Sequence, residues 1–226
     1  MRFRDRSDAG RVLAAALRRS ETLGVRLSGD QAGPGSDRPG NGIVLGVPRG
    51  GVIVAAAVAA AMRLPLDLAL SRKIGAPGHP ELAIGAVAEN GEVWLVDDLI
   101  HRLRIDSQWL DSAIAAERQE LERRAVRYRG STGAPSIGGK VAVVVDDGVA
   151  TGATLAAVLA TLRRQHPAWL IAAIPVAPPD AVSMLSTRCD EVVCPLQPER
   201  FDAVGSWYDD FAQTTDEEVV ATLARG

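Results

Sequence analysis

A chain of 226 residues that is 47% apolar has enough hydrophobic material to close a sizeable core, as one large domain or two small ones. Its formal charge of -3 supplies no general attraction to nucleic acid or to a membrane surface, so any anionic ligand must be held locally. Cys189 and Cys194 have neither a second pair nor nearby histidines, which excludes a zinc or redox motif and leaves free, mostly buried thiols.

We expect one domain over 1–226 with its core in about 40–200. The apolar run from Val52 to Met62 is too short for a bilayer, and the amino terminus lacks the apolar region and cleavage site of a secretory signal. The expectation is a cytoplasmic protein with no membrane and no nucleic-acid partner.

In chain order, residues 7–20 read as an amphipathic helix with Ser7 and Asp8 as candidate caps, followed by a Gly/Pro-rich loop at 29–42. "IVLGVP" is a continuous apolar run bounded by turn residues, and Val52–Met62 then reads as a buried helix. "LDLALS" reads as a further strand. The stretch 74–98 predicts a Gly/Pro loop and two short strands turning at Asn90 and Gly91, an arm projecting from the sheet.

From Asp106 to Arg129 a long helix carries Leu110, Ile114, Leu121 and Ala125 near one stripe. Its Arg123, Arg124, Arg127 and Arg129 read as a solvated face balanced by glutamates. "KVAVVVDD" is a strand leading to a helix at about 152–165; "WLIAAIPVA", a short helix and "EVVCPL" complete the alternation. Apolar strands alternating with helices predict an α/β fold, a parallel twisted sheet with helices on both faces, with a small hood from the terminal segments.

Two turns in this pattern carry chemistry. In "VVVDDGVATGAT" (143–154) a strand ends in two carboxylates and a turn of small and hydroxyl residues before a helix starts. The free amides of such a helix start and its dipole suit a phosphate. Gly152 permits close backbone approach, and Thr151 and Thr154 add hydroxyl donors. Asp146 and Asp147 cannot favour a phosphate but can accept from vicinal sugar hydroxyls, so the stretch fits a ribose 5-phosphate. The alternative is that Asp147 merely caps the next helix.

The second turn, "VPRGG" (47–51), places Arg49 beside Gly50 and Gly51, where an arginine with exposed amides can clamp a diphosphate. With right-handed crossovers both turns leave the carboxyl edge of the sheet and face one crevice. "GAPSIGGK" (133–140) has neither the spacing nor the Ser/Thr of a nucleotide P-loop and precedes its strand, and "GPGSDRPG" breaks the dinucleotide glycine pattern.

"VAVVVDDGVATGAT" resembles the phosphoribosyl diphosphate signature of type I phosphoribosyltransferases, and "VPRGG" is similar to their diphosphate loop. "SRKIGAPGHPELAIGAV" and "FDAVGSWYDDF" resemble a bacterial subgroup without settled substrates. The resemblance implies that Asp146 and Asp147 meet the ribose hydroxyls, that Ala150, Thr151, Gly152, Ala153 and Thr154 cradle the 5-phosphate, and that Arg49, Gly50 and Gly51 hold diphosphate. It also implies a cis peptide in the second loop and Mg²⁺ riding on the substrate, with no all-protein metal cage.

The implied reaction displaces diphosphate from the anomeric carbon by a nitrogenous acceptor, with release of diphosphate. Arg49, Lys73 and Arg72 are the expected catalytic cations, the last two at the start of the arm. His79 reads as a solvated loop residue. Phe201, Trp207 and Tyr208 are the candidates for stacking on an acceptor, or else form a cluster that fastens the carboxyl terminus. Asp209 and Asp210 read as acceptor contacts or as caps of the next helix. The lysine that 6-oxopurine enzymes carry in the strand after the phosphate helix has no counterpart in "WLIAAIPVAP". Homodimers are common in such enzymes, and a non-catalytic sensor of phosphoribosyl diphosphate is the alternative function.

Overall fold

The computed structural model describes residues 1–20, 22–24 and 41–225, apart from the side chain of residue 81. The loop expected at 29–42 lies almost wholly outside them. In chain order the elements are α1 (Arg6–Leu17), β1 (Gly42–Gly46), α2 (Gly50–Met62), β2 (Leu66–Leu68), β3 (Ser71–Ala76), β4 (His79–Ala88) and β5 (Val93–Leu95). Then follow α3 (Asp97–Leu103), α4 (Ser107–Arg129), β6 (Val141–Val145), α5 (Ala153–Arg163), β7 (Trp169–Ala173), α6 (Pro179–Ser186), β8 (Glu191–Val193), a short 3₁₀ turn (Val204–Trp207) and α7 (Asp216–Leu223).

The main sheet has the order β2-β1-β6-β7-β8 and every pairing in it is parallel. Both faces are covered, which is why β1 and β6 are apolar at every position and buried throughout. One face packs Val44, Val143, Val145 and Ile171 against Leu13 and Leu17 of α1 and Val54 and Val58 of α2. The other packs Leu45, Val144 and Leu170 against Leu155, Val158 and Leu159 of α5 and Leu185 of α6. Among the described residues no helix is long and apolar enough to cross a membrane.

The arm is more ordered than its glycines and prolines suggest. β2 stops at Leu68, Ser71 opens β3, and β3-β4-β5 form an antiparallel sheet of their own, with the expected turn at Asn90 and Gly91. Its apolar side, Ile74, Ile84 and Val87, is buried with Leu121 and Tyr128 of α4 and Val219 of α7. The arm is thus folded onto the domain, with its exposed tip around Pro77 to Pro80.

Three local expectations are corrected. Asp5, not Ser7 or Asp8, caps α1, its carboxylate accepting from the amide of Asp8 at 2.7 Å. Helix α7 is entered through a capping box in which Thr215 and Glu218 satisfy each other's amides, and Asp209 and Asp210 do not cap it. Arg129 is no solvated residue: its side chain is 4% exposed, bonded to Asp67 at 2.5 Å, to Glu89 and to the carbonyl of Leu68. That cluster pins the end of α4 to β2 and to the loop after β4.

Candidate active site

The two loops singled out above leave adjacent strands. β1 pairs directly with β6, and the amide of Val47 donates to the carbonyl of Val145 at 2.8 Å, so the turns that follow stand side by side at the carboxyl edge. Together they line one cleft of about 320 Å³, to which Val47 to Gly50 contribute one wall and Asp146 to Leu155 the other. The approach is close enough to require glycine. A Cβ on Gly51 would stand 2.7 Å from the carbonyl oxygen of Val145, and one on Gly50 would stand 1.9 Å from the Asp147 carboxylate.

Both helices that open from this cleft start without a side-chain cap, as α3 and α6 also do, whereas α1, α4 and α7 are capped by Asp5, Asp106 and Thr215. At the start of α5 the Thr151 hydroxyl stands 3.5 Å from the amide of Ala153, a long contact for a helix-start donor. Gly152 adopts φ +81°, the left-handed conformation that turns the loop into α5. The Pro48–Arg49 peptide is cis. The side chain of Arg49 is exposed at the mouth.

The acidic pair sits in the floor. Asp146 accepts from the amide of Asp147 at 2.8 Å, and burial, then the neighbouring Asp147 charge, pushes its carboxyl well above the usual range. Burial also raises Asp147, against the opposing pull of Arg6, whose Nε donates to Asp147 Oδ2 at 2.7 Å. One guanidinium thus faces two carboxylates, and the pair holds its second negative charge reluctantly. Ligands that donate hydrogen bonds or bring positive charge meet a site already biased toward them.

The remaining candidates lie outside the cleft lining. Arg72, on β3, donates to Glu117 of α4 at 2.6 Å and fastens the arm. Lys73 follows it on the same strand, and His79 is exposed at the arm tip. Tyr208 is 2% exposed, its ring packed against Phe3 and Phe211 and its hydroxyl donating to the carbonyl of Asp147. That is the fastening role, with no face left for an acceptor. Phe201 and Trp207 stack on each other at 6.3 Å between ring centroids. Sequence reasoning missed Arg6, which no local pattern connects with an aspartate 141 positions away.

The model of the phosphoribosyl transferase domain family matches residues 34–206. The chain belongs to that family. Two Mycobacterium tuberculosis proteins, from strains CDC 1551 / Oshkosh and ATCC 25618 / H37Rv, are each named "Putative phosphoribosyl transferase". Each is 41% identical over 223 residues, which is 99% of this chain and 46% of the relative. The chain therefore spans about half the length of these curated relatives. A crystal structure of the protein TT1426 from Thermus thermophilus shares 42% identity and a TM-score of 0.85, covering 100% of this chain and 99% of that one. The family assignment and the doubly covered parallel sheet agree with the motifs read from the chain.

Proposed function

We propose that this member of the phosphoribosyl transferase family transfers the 5-phosphoribosyl group of phosphoribosyl diphosphate to a nitrogenous acceptor and releases diphosphate. The observation that carries the reading is that the acid-bearing loop and the arginine-bearing loop are the two walls of one cleft. In this reading the uncapped start of α5, with Thr151 and Thr154, receives the 5-phosphate. Asp146 and Asp147 accept from the ribose hydroxyls one sugar width away. Arg49 and the amides of Gly50 and Gly51 take the developing charge on the departing diphosphate.

Among the described residues no group of three or more His, Cys, Asp or Glu side chains is placed to hold a metal ion. Two adjacent carboxylates suit a cation that arrives on its ligand's oxygens, which is how Mg²⁺ would be held, neutralising charge on the diphosphate when bound. Because Arg72 is committed to Glu117, the leaving group rests mainly on Arg49, with Lys73 next in reach along the chain. The acceptor is left at the level of a nucleobase or related amine. We further propose a dimer, to be read by light scattering on a sizing column.

The test is diphosphate release from phosphoribosyl diphosphate and Mg²⁺ across a panel of bases and amines. Release with at least one acceptor is expected. Tight binding of phosphoribosyl diphosphate with no release from any acceptor would replace the enzyme by a sensor. In an active preparation Arg49→Ala should lose about 3 kcal/mol of transition-state stabilisation, roughly a hundred-fold in rate, while melting like the parent because the side chain is exposed.

A further inference from the structure

Arg6 enters the site by helix packing rather than by sequence proximity. Helix α1 lies against α2 so closely at Gly10 that a Cβ there would stand 2.6 Å from the carbonyl oxygen of Val54 and 2.7 Å from Cβ of Ala57. One turn earlier on the same face of α1 is Arg6, and one turn earlier than Val54 on α2 is Gly50. The register of the two helices thus delivers the guanidinium to the first residue of α2. A Cβ on Gly50 would lie 2.6 Å from Arg6 Nε as well as 1.9 Å from the Asp147 carboxylate, so the ion pair fills the space that the missing side chain leaves.

The guanidinium meets three partners there. Its Nε donates to Asp147 Oδ2 at 2.7 Å, Nη1 donates to the carbonyl of Ala212 at 2.7 Å, and its carbon lies 4.0 Å from the centre of the Phe211 ring. The side chains of Arg6 and Asp147 are only 12% and 16% exposed. One planar group therefore ties together α1, the acid loop, the first turn of α2 and the carboxyl-terminal segment, which a lysine could not do with a single point of charge.

We propose that Arg6 is a positioning residue for phosphoribosyl diphosphate: it holds the Asp147 carboxylate aimed for the ribose hydroxyls while packing over Gly50 of the diphosphate loop. The role rests on the phosphoribosyl reading given above and acts through Asp147, not by contact with the reacting atoms. The charged and titratable groups around that carboxylate are Arg6 from α1, Asp146 beside it, Tyr208 from the carboxyl-terminal segment and Arg49 across the cleft. Among the described residues Arg6 is the cation that pairs with it directly, at 2.7 Å.

The experiment is the affinity for phosphoribosyl diphosphate with Mg²⁺, measured by calorimetry at pH 8 on the parent, Arg6→Gln, Arg6→Lys and Arg2→Ala, and on Asp147→Asn with and without Arg6→Gln. Arg6→Gln should bind about ten-fold or more weakly, because the carboxylate of Asp147 has lost the guanidinium that fixes its direction. Arg6→Lys, which keeps one donor toward Asp147, should recover part of that loss. Arg2→Ala loosens the same terminal segment by removing a 3.0 Å bond to the carbonyl of Tyr208, and should leave the affinity unchanged. In an Asp147→Asn background Arg6→Gln should add no more than about two-fold. A parent that does not bind overturns the phosphoribosyl reading and this role with it. A parent that binds, with Arg6→Gln equal to it in affinity or weakened as much in the Asp147→Asn background as in the parent, overturns the role of Arg6 alone.

Discussion

Two groups of partly buried acids in this molecule are treated in opposite ways. At the junction of β2, β4 and α4, Asp67 and Glu89 share one deeply buried guanidinium, Arg129, which meets both and adds a bond to a backbone carbonyl. In the cleft, Asp146 and Asp147 also share one guanidinium, but Arg6 reaches only Asp147, and Asp146 is left with a backbone amide. The first arrangement is closed and holds elements together. The second leaves charge uncompensated and its carboxyls raised, which is the condition in which a ligand bringing hydroxyl donors or a cation is drawn in. Uneven compensation, more than the number of acids, separates the site from the scaffold.

The contrast can be broken most severely at Arg129. Arg129→Met strands two acids at the base of the arm and should cost about 3–5 kcal/mol in urea unfolding, and much less in a background where Asp67→Asn and Glu89→Gln have already removed the charges. In the cleft the sign reverses. A carboxyl raised on folding adds stability that is fully present below the ordinary carboxylate range and is lost as pH rises through its higher folded value. Asp146→Asn should therefore melt higher than the parent at pH 8 and converge with it near pH 4, while losing about 10- to 150-fold in affinity for phosphoribosyl diphosphate.

A smaller effect is expected at the seam between the loops. Gly50→Ala should cost about 1–3 kcal/mol, since its Cβ would displace the Arg6–Asp147 pair, and the loss should shrink in Asp147→Ala, where the space is open. The mildest change sharpens the distinction between capped and uncapped helices. Thr215→Ala removes a cap that serves only α7 and should lower stability by about 1 kcal/mol with no change in ligand affinity.

Much of the site is legible in the chain because it is local. A valine run, two acids, a glycine that must turn left-handed and a helix start form one continuous segment, and the rules that govern such a segment act over a few residues. "VPRGG" is legible on the same grounds, and the parallel pattern places both at one edge. Local rules mislead where a residue's partner lies elsewhere. Arg129 looks like one more charge on a solvated helix until Asp67 and Glu89 are folded around it. Tyr208 looks like a stacking platform until Phe3, from the opposite terminus, covers it. The β3–β4 hairpin is hidden by Gly75, Pro77 and Gly78, which read as a loop although the flanking residues pair. The Thr215–Glu218 box, by contrast, is a local spacing that the chain displays openly, and the acids at 209 and 210 drew the reading away from it.

The two loops that line the cleft are thus readable in two short stretches of the chain, because turn geometry and helix starts are short-range properties. Which of the buried acids is neutralised, and by which arginine, is settled only when α1 packs on α2 and α4 packs on the arm. Charge compensation depends on distance through the fold, and residues 141 positions apart acquire that distance only when the core closes.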